Sequence, residues 1–524
     1  MKSLPVGLFK HCPAGFAIQI NQMFQNAIIE DFPEGFFEGL DGVTSLYSVF
    51  ESAVFMKPLK GGIFKGMAKA NTFNNAFYRT NVTELPEDLF EGMGASATSI
   101  SLQSAFFGCE ELASVPAGLF DPIETKVNNI SNCFKNCTGL KSIPEGFGNS
   151  LTNLTNASNA FYGCEALESL PSEMFKGAAA QLSNLSSMFW GCTSLKSVPD
   201  GLFGFITARN ANFANTFTSC TSLTTVGADV FPSTVASSGL NNTFSDCTSL
   251  TDISGKVFSK CGSVTTLMRT FYGCTALETL PSDLFAGMAK LTTFDQTFSG
   301  CTGLESIPED LFAKNADANK FQKVFYGCTS LKAIPAGLFA NNKNAKDFNN
   351  MFYKCTSLTS VPEGLFKACA SAQTFSYLFV DCTGIKTIPA DLFINNKSAC
   401  YFIQTFAGCS SLQEIPEGLF DSVPSASTAA TFKECFIACT SLKSIPAALF
   451  DKALKASKFD YAFAGCTGLT GESPYTMYNG NKIHLYERKK LYNLGGFNNR
   501  ITGTKCFYNC TGLSDYEDIA TDWK

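Results

Sequence analysis

The stretch Phe325-Tyr326-Gly327-Cys328-Thr329-Ser330-Leu331-Lys332-Ala333-Ile334-Pro335-Ala336-Gly337-Leu338-Phe339 recurs in diverged copies along nearly the whole 524-residue chain. With the Phe ahead of Tyr-Gly-Cys as an anchor, copies stand at Phe24, Phe50, Phe77, Phe106, Phe134, Phe161, Phe189, Phe217, Phe244, Phe271, Phe298, Phe325, Phe352, Phe379, Phe406, Phe436, Phe463 and Phe507, 18 in all. Seven consecutive intervals from Phe217 to Phe406 are 27 residues each. A fixed period of this length is the signature of a solenoid. One core then runs through stacked coils, each burying its apolar face against its neighbours, and the several independent domains that length alone suggests are not expected.

Within the unit, an apolar residue stands four places before the anchor (Phe73, Phe213, Phe294, Phe321, Phe348) and a small or apolar one just before it (Ala76, Met188, Met351). These positions and the anchor share one face of a helix, so the spacing predicts a short helical turn. A Gly two residues after the anchor (Gly163, Gly191, Gly273, Gly327) suits a left-handed residue that ends it. Cys-Thr-Ser-Leu-x-x-Ile then reads as a short strand with Leu331 and Ile334 inward, closed by Pro335. Pro308-Glu309-Asp310 places acidic residues in the first turn of a second short helix, where a capping role is expected of them rather than acid–base chemistry. Residues 340–346 and their equivalents read as outer loops.

In this order of elements the unit resembles a leucine-rich repeat of the BspA-like bacterial kind, and the 26-residue repeats of bacterial surface proteins, through Met351-Phe352-Tyr353-Lys354-Cys355-Thr356-Ser357-Leu358. The resemblance covers roughly residues 1–470 and again 506–513. It implies an α/β repeat solenoid, a right-handed leucine-rich-repeat-like superhelix of about 18 coils of about 27 residues, each with one short strand and short helical turns. At one inter-strand distance per coil the array is expected to extend roughly 85 Å. The expected division is an array over 1–469 and a C-terminal cap over 470–524.

Fifteen of the 22 cysteines fall three residues after an anchor, from Cys109 to Cys510. Ala27, Ala53 and Thr80 fill the same place in three other copies, so the column reads as buried, reduced packing residues. The second cysteines of Cys133/Cys137, Cys435/Cys439 and Cys506/Cys510 read as a further packing slot. No four-Cys or Cys/His spacing for zinc occurs. With two His in the chain and no HExxH, GxSxG, P-loop or dinucleotide fingerprint, neither an enzyme nor a cofactor or metal site is expected.

A net charge of -6 without a basic block argues against nucleic acid. No run of about 18 apolar residues predicts a membrane span. The first segment lacks the features of a signal peptide, and Lys2-Ser3-Leu4-Pro5 begins in mid-repeat, so an uncapped N-terminal end is expected.

Two surface columns stand out. The Thr/Ser residues after Cys read as a hydroxyl ladder between neighbouring coils. Immediately after the anchor come Tyr78, Phe107, Tyr162, Trp190, Tyr272, Tyr326, Tyr353 and Tyr508, which either cover coil corners or contact a ligand. Past residue 470 the repeat breaks at Asn479-Gly480, a hairpin signal, and His484, Tyr486, Arg488 and Tyr492 gather functional groups that the array lacks. The expected function is a non-enzymatic, surface-exposed recognition or adhesion scaffold for a protein or glycan partner, extracellular and bacterial by resemblance. The alternative is a structural subunit of a larger assembly, such as a phage tail or fibre in a virion, docked on a neighbouring subunit through its open N-terminal end.

Overall fold

The computed structural model describes residues 4–12, 20–423, 429–494 and 500–524. Its contacts divide the chain into two units, Met1–Val264 and Thr265–Lys524, both built from stacked coils.

The predicted helical turn is where sequence and structure part. Among the described residues there is no α-helix; short 3-10 segments occur at Asp121–Ile123, Lys176–Ala178, Leu485–Leu494 and Tyr516–Asp518. Around the anchor the chain instead forms successive three-residue turns. In the first unit the amides of Ala76, Tyr78 and Thr80 donate to the carbonyls of Phe73, Asn75 and Phe77, three residues back. The amides between them turn outward to the following coil: Phe73 to Ser101 O, Asn75 to Gln103 O, Phe77 to Ala105 O and Arg79 to Phe107 O, at 2.7–3.1 Å. In the second unit Phe321, Lys323, Phe325 and Gly327 donate in the same way to Asp347, Asn349, Met351 and Tyr353.

An α-helix would use all of these amides within its own segment and leave none to join coils. The residues that settle the matter lie at two positions with positive φ, two before and two after the anchor, such as Asn75 (58°) and Arg79 (55°) or Asn350 (57°) and Lys354 (58°). A left-handed third residue is what a type II turn requires, and Asn tolerates it better than most side chains. The inward face is nevertheless the one the spacing implies, since Phe73, Ala76 and Phe77 are all fully buried.

The predicted strand is also shorter than expected. Cys328-Thr329-Ser330-Leu331 is itself a turn, with the Leu331 amide on Cys328 O at 3.1 Å. Extended pairing begins after it, as in the three-stranded parallel sheet of Ser197–Val198, Thr225–Val226 and Asp252–Ile253, where Val198, Val226 and Ile253 point inward. A second ladder of single parallel bridges runs five residues before the anchor, in the second unit from Thr266 through Thr293, Lys320, Asp347 and Thr374 to Thr502. Glu309, expected to cap a helix, accepts the Gly337 amide of the next coil at 3.0 Å. Its own segment is a turn, because Pro308-Glu309-Asp310-Leu311 closes by Leu311 N on Pro308 O.

The core of each unit is made of phenylalanine ladders. Anchor rings stack at 5.8 Å (Phe298–Phe325), 5.7 Å (Phe325–Phe352) and 5.5 Å (Phe352–Phe379). Parallel ladders run through Phe294, Phe321, Phe348 and Phe375, and through Phe312, Phe339 and Phe366, and these two meet edge to face, as at Phe312–Phe321 (5.1 Å). Edge-to-face and offset contacts suit the ring quadrupole.

Residues 340–346 are not wholly outer loop, for Asn342 is buried. Its amide nitrogen donates to Phe312 O (3.4 Å) and Asn315 O (2.9 Å) of the preceding coil, and Asn315 and Asn396 do the same one slot apiece along the array. Met288 and Cys369 occupy this slot in other coils, so apolar and amide side chains share one buried row.

At the C-terminal end Tyr475–Tyr478 pairs antiparallel with Asn481–His484. The two connecting residues, Asn479 and Gly480, both have positive φ (49° and 80°), as a type I′ turn requires. In the last coil the outward amides of Lys505 and Phe507 donate to Asp522 O and Trp523 O, both at 2.8 Å. The tail thus supplies the carbonyls that a following coil would have supplied. Gly503 lies directly against the Trp523 ring, where any Cβ would collide with it.

Candidate recognition surface

The backbone turns carry the residue after each anchor to the surface, and the ring column forms there. All seven aromatic candidates from Tyr78 to Tyr353 are half-buried. Tyr78 stacks on Phe107 (4.8 Å), Tyr162 on Trp190 (5.6 Å) and Tyr326 on Tyr353 (4.7 Å), while Tyr272 stands two coils before Tyr326, with the small, buried Ser299 on the coil between. Stacking turns ring faces toward each other, so within a pair it is edges and phenol oxygens that meet solvent.

Each stack carries a cation. Arg79 lies over Tyr78 (5.3 Å), Arg269 over Tyr272 (5.2 Å), Lys323 over Tyr326 (5.9 Å), Lys354 over Tyr353 (5.7 Å) and Lys505 over Tyr508 (5.2 Å). Between Phe107 and Tyr162, where a ring is missing, Lys135 bridges at 5.9 and 4.1 Å. Such contacts stabilise by about 0.5–1 kcal/mol each at exposed sites. Burial, and then the Asp381 carboxylate, raise the Tyr353 phenol above its ordinary range.

The hydroxyl column forms a ladder, though on turns rather than on a strand: Thr329 Oγ1 donates to Thr302 O (3.4 Å) and Thr356 Oγ1 to Thr329 O (3.3 Å). The cysteine column does more than fill space. Cys328, Cys355 and Cys382 donate their thiols to Phe298 O, Phe325 O and Phe352 O of the preceding coil at 3.0–3.3 Å, and the pattern holds from Cys109 to Cys247 in the first unit and from Cys301 to Cys510 in the second. Thr80, in the same slot, instead donates its hydroxyl to the carbonyl of its own coil's anchor, Phe77, at 3.1 Å. All 22 cysteines are reduced, and burial pushes the column thiols well up, as at Cys301 to about 12. A thiol held protonated is neither nucleophile nor metal ligand.

The C-terminal candidates are drawn inward. Arg488 is 2% exposed, with Nη2 donating to Thr476 Oγ1 (2.6 Å) and Nη1 to Phe450 O (3.3 Å), and burial brings its pKa down to about 10. It ties the segment after the hairpin to a coil and presents nothing to a ligand.

His484 Nδ1 lies 2.9 Å from Ser473 Oγ and 3.3 Å from Asp515 Oδ2, and Ser473 Oγ donates to that same carboxylate oxygen at 2.5 Å. These are the residue types of a nucleophilic triad in the wrong arrangement. A triad puts the hydroxyl and the carboxylate on opposite ring nitrogens; here both meet Nδ1, and Ser473 is fully buried. Nothing in the sequence pattern joined Ser473 and Asp515 to His484. Tyr486 stacks on His484 at 5.3 Å, half-buried, with its phenol pushed up to about 12 chiefly by burial. The Tyr492 side chain lies outside the described residues.

Residues 70–199 and 122–247 match the BspA type leucine-rich repeat region, in six copies. Residues 238–365 match a second family, described as a Mycoplasma protein of unknown function, DUF285. The same phased unit runs through both matches, so the BspA-type repeat and the second family share one architecture in this chain.

No curated protein matches the chain. Among solved structures, a leucine-rich repeat protein from Bacteroides ovatus is 20% identical with a TM-score of 0.46, covering 71% of this chain and 81% of its own. A leucine-rich cell surface protein from Faecalibacterium prausnitzii is 18% identical with a TM-score of 0.29, covering 81% and 86%. A leucine-rich repeat protein from Leptospira interrogans is 12% identical with a TM-score of 0.26, covering 79% and 92%. No helix among the described residues is long and apolar enough to cross a membrane.

Proposed function

We propose that the chain is a non-enzymatic recognition scaffold displayed at a cell surface, which holds a protein or glycan partner through the aromatic column of its coils. In this reading residues 1–469 are the recognising array, about 18 right-handed coils, and residues 470–524 cap it. The observation that carries it is the pairing of rings with cations along the column of each unit, as with Arg79 over Tyr78 in the first and Lys354 over Tyr353 in the second. Tyr, Trp and Arg dominate binding energy at protein surfaces, and half-buried rings offer contact at little entropic cost. His484 and Arg488 have no part in the contact, being occupied within the cap.

The test is Tyr162→Ala combined with Trp190→Ala in the full chain. Capture of partner from cell-surface extracts and from a glycan array should fall by at least about tenfold, a loss of roughly 1.4 kcal/mol, with the melting temperature held within a few degrees. A lowered melting temperature with capture unchanged would mean that the column only covers coil corners.

A further inference from the structure

Within Thr265–Lys524 the column changes character in a way that points to the chemistry of a ligand, on the premise that the column is the recognition surface. Over the four coils anchored at Phe271, Phe298, Phe325 and Phe352, the positions two before, one after and two after each anchor carry Arg269, Lys323, Lys354, Tyr272, Tyr326 and Tyr353, and no Asp or Glu. The other members are Asn, Gln, Ser and Gly. This is a local excess of three positive charges on a chain of net charge -6. Arg269 and Lys354 are exposed and Lys323 half-buried. The Arg269 guanidinium lies over the Tyr272 ring and donates to a neutral acceptor, Gln296 Oε1, at 2.9 Å. The strip ends where Asp381 comes beside Tyr353.

The rings are spaced unevenly. Tyr326 and Tyr353 stack at 4.7 Å, but between Tyr272 and Tyr326 the column residue is Ser299, which leaves a gap one coil wide with a cation at either side. In the first unit the equivalent gap is filled by Lys135; here nothing larger than Ser299 stands on the column.

We infer that the strip from Arg269 to Lys354 binds an anionic saccharide, a chain of pyranose rings bearing carboxylates or sulfates, with a sugar ring in the gap over Ser299 and its acidic groups on Arg269, Lys323 and Lys354. The apolar CH face of a pyranose suits a phenol ring, and guanidinium and ammonium groups suit the anions. Register favours a saccharide over an acidic peptide. An extended peptide presents same-face side chains about every 6.7 Å, which drifts against equivalent rings that recur from coil to coil at 4.7 Å (Tyr326–Tyr353), 5.5 Å (Phe271–Phe298) and 5.8 Å (Phe298–Phe325). A pyranose chain advances by close to one coil per ring.

Titration calorimetry on the full chain tests this with four probes: a galacturonate oligomer and a heparin oligomer as carboxylated and sulfated saccharides, cellohexaose as a neutral one, and poly-glutamate as an anionic peptide. At least one anionic saccharide should bind at least about tenfold more tightly than cellohexaose and poly-glutamate, with affinity falling as salt is raised. Arg269→Gln, Lys323→Gln and Lys354→Gln together should weaken it by at least about tenfold with an unchanged melting temperature, and Tyr326→Ala should do likewise.

Failure of both anionic saccharides to bind, equal binding of poly-glutamate, or affinity indifferent to the triple substitution would each overturn the inference. If no anionic saccharide binds while Tyr162→Ala/Trp190→Ala still abolishes partner capture, the recognition reading stands and this assignment of ligand falls. If that pair also leaves capture unchanged, both fall.

Discussion

Single residues in this chain are asked to do what helices do elsewhere. A coil turns because Asn350 accepts a φ of 57° and Lys354 one of 58°, freeing alternate amides for the next coil. A β-branched side chain in that region is a strained outlier. Asn350→Val should therefore lower the unfolding free energy by about 1–3 kcal/mol in urea titration, while Asn350→Gly should leave it near or above the parent.

Asp295 offers a second test at this scale. One of its carboxylate oxygens is buried without a hydrogen-bond partner, and burial raises its pKa above the ordinary carboxylate value. A raised folded-state pKa means that the folded protein holds the proton more tightly than the unfolded chain. The contribution to stability is full below the unfolded pKa and is lost as pH rises through the folded one. Asp295→Asn should hence raise the melting temperature at pH 7, and the gain should shrink toward zero as pH falls below about 4. A gain that persists unchanged at low pH would show that the charge is not its source.

At the scale of the element, a coil is closed by its successor. Each outward amide finds its carbonyl one coil on, and the last coil finds its acceptors in Asp522 and Trp523. Trp523 is also the side chain packed on Gly503. Trp523→Ala should cost about 3–5 kcal/mol of local closure and raise amide exchange across residues 502–510, while exchange around residues 320–350 stays as it was. Stability in a stacked array is a sum of unit and nearest-neighbour terms, so damage at the end frays the end.

The element is also where reading the sequence went astray. Inward residues four before, one before and at the anchor match a helical face, and they are indeed buried. Side-chain spacing reports which residues face inward, not which hydrogen bonds hold the backbone, and successive turns with left-handed third residues produce the same burial. The usable signal was the Asn two before the anchor, a residue that suits turns and sits poorly in helices. In the same way Asn342 looked like loop, because only the neighbouring carbonyls of Phe312 and Asn315 make a buried amide tolerable.

For the molecule as a whole, periodicity implies interchangeability. Phe325 and Phe352 occupy equivalent places, donating to Met351 and Leu378 of their respective following coils. Removing residues 325–351 joins Val324 to Phe352 in phase and should give a folded protein with a single melting transition and nearly the parent circular dichroism per residue. Removing residues 325–338 instead, about half a period, breaks every ladder at once and should yield an aggregated or partly unfolded product by size-exclusion chromatography. Equal behaviour of the two deletions would contradict a nearest-neighbour array.

The sequence by itself determined the repeat, its phase, the inward residues and the sites of the Cys and aromatic columns, because these follow from period and from which side chains avoid water. It also placed the Gly residues two after the anchor, since a left-handed backbone leaves a compositional mark. Only the tertiary structure decided the partners. Cys355 donates to the Phe325 carbonyl, Tyr326 stacks on Tyr353 under Lys354, and His484 and Arg488 turn inward to Asp515 and Thr476. Apart from Lys354 beside its neighbour Tyr353 and Arg488 on Thr476, these contacts join residues 27 or more apart, and they depend on how neighbouring backbones are stacked. Local spacing carries no information about that distance, so the surface on which recognition is proposed became legible only once the coils stood side by side.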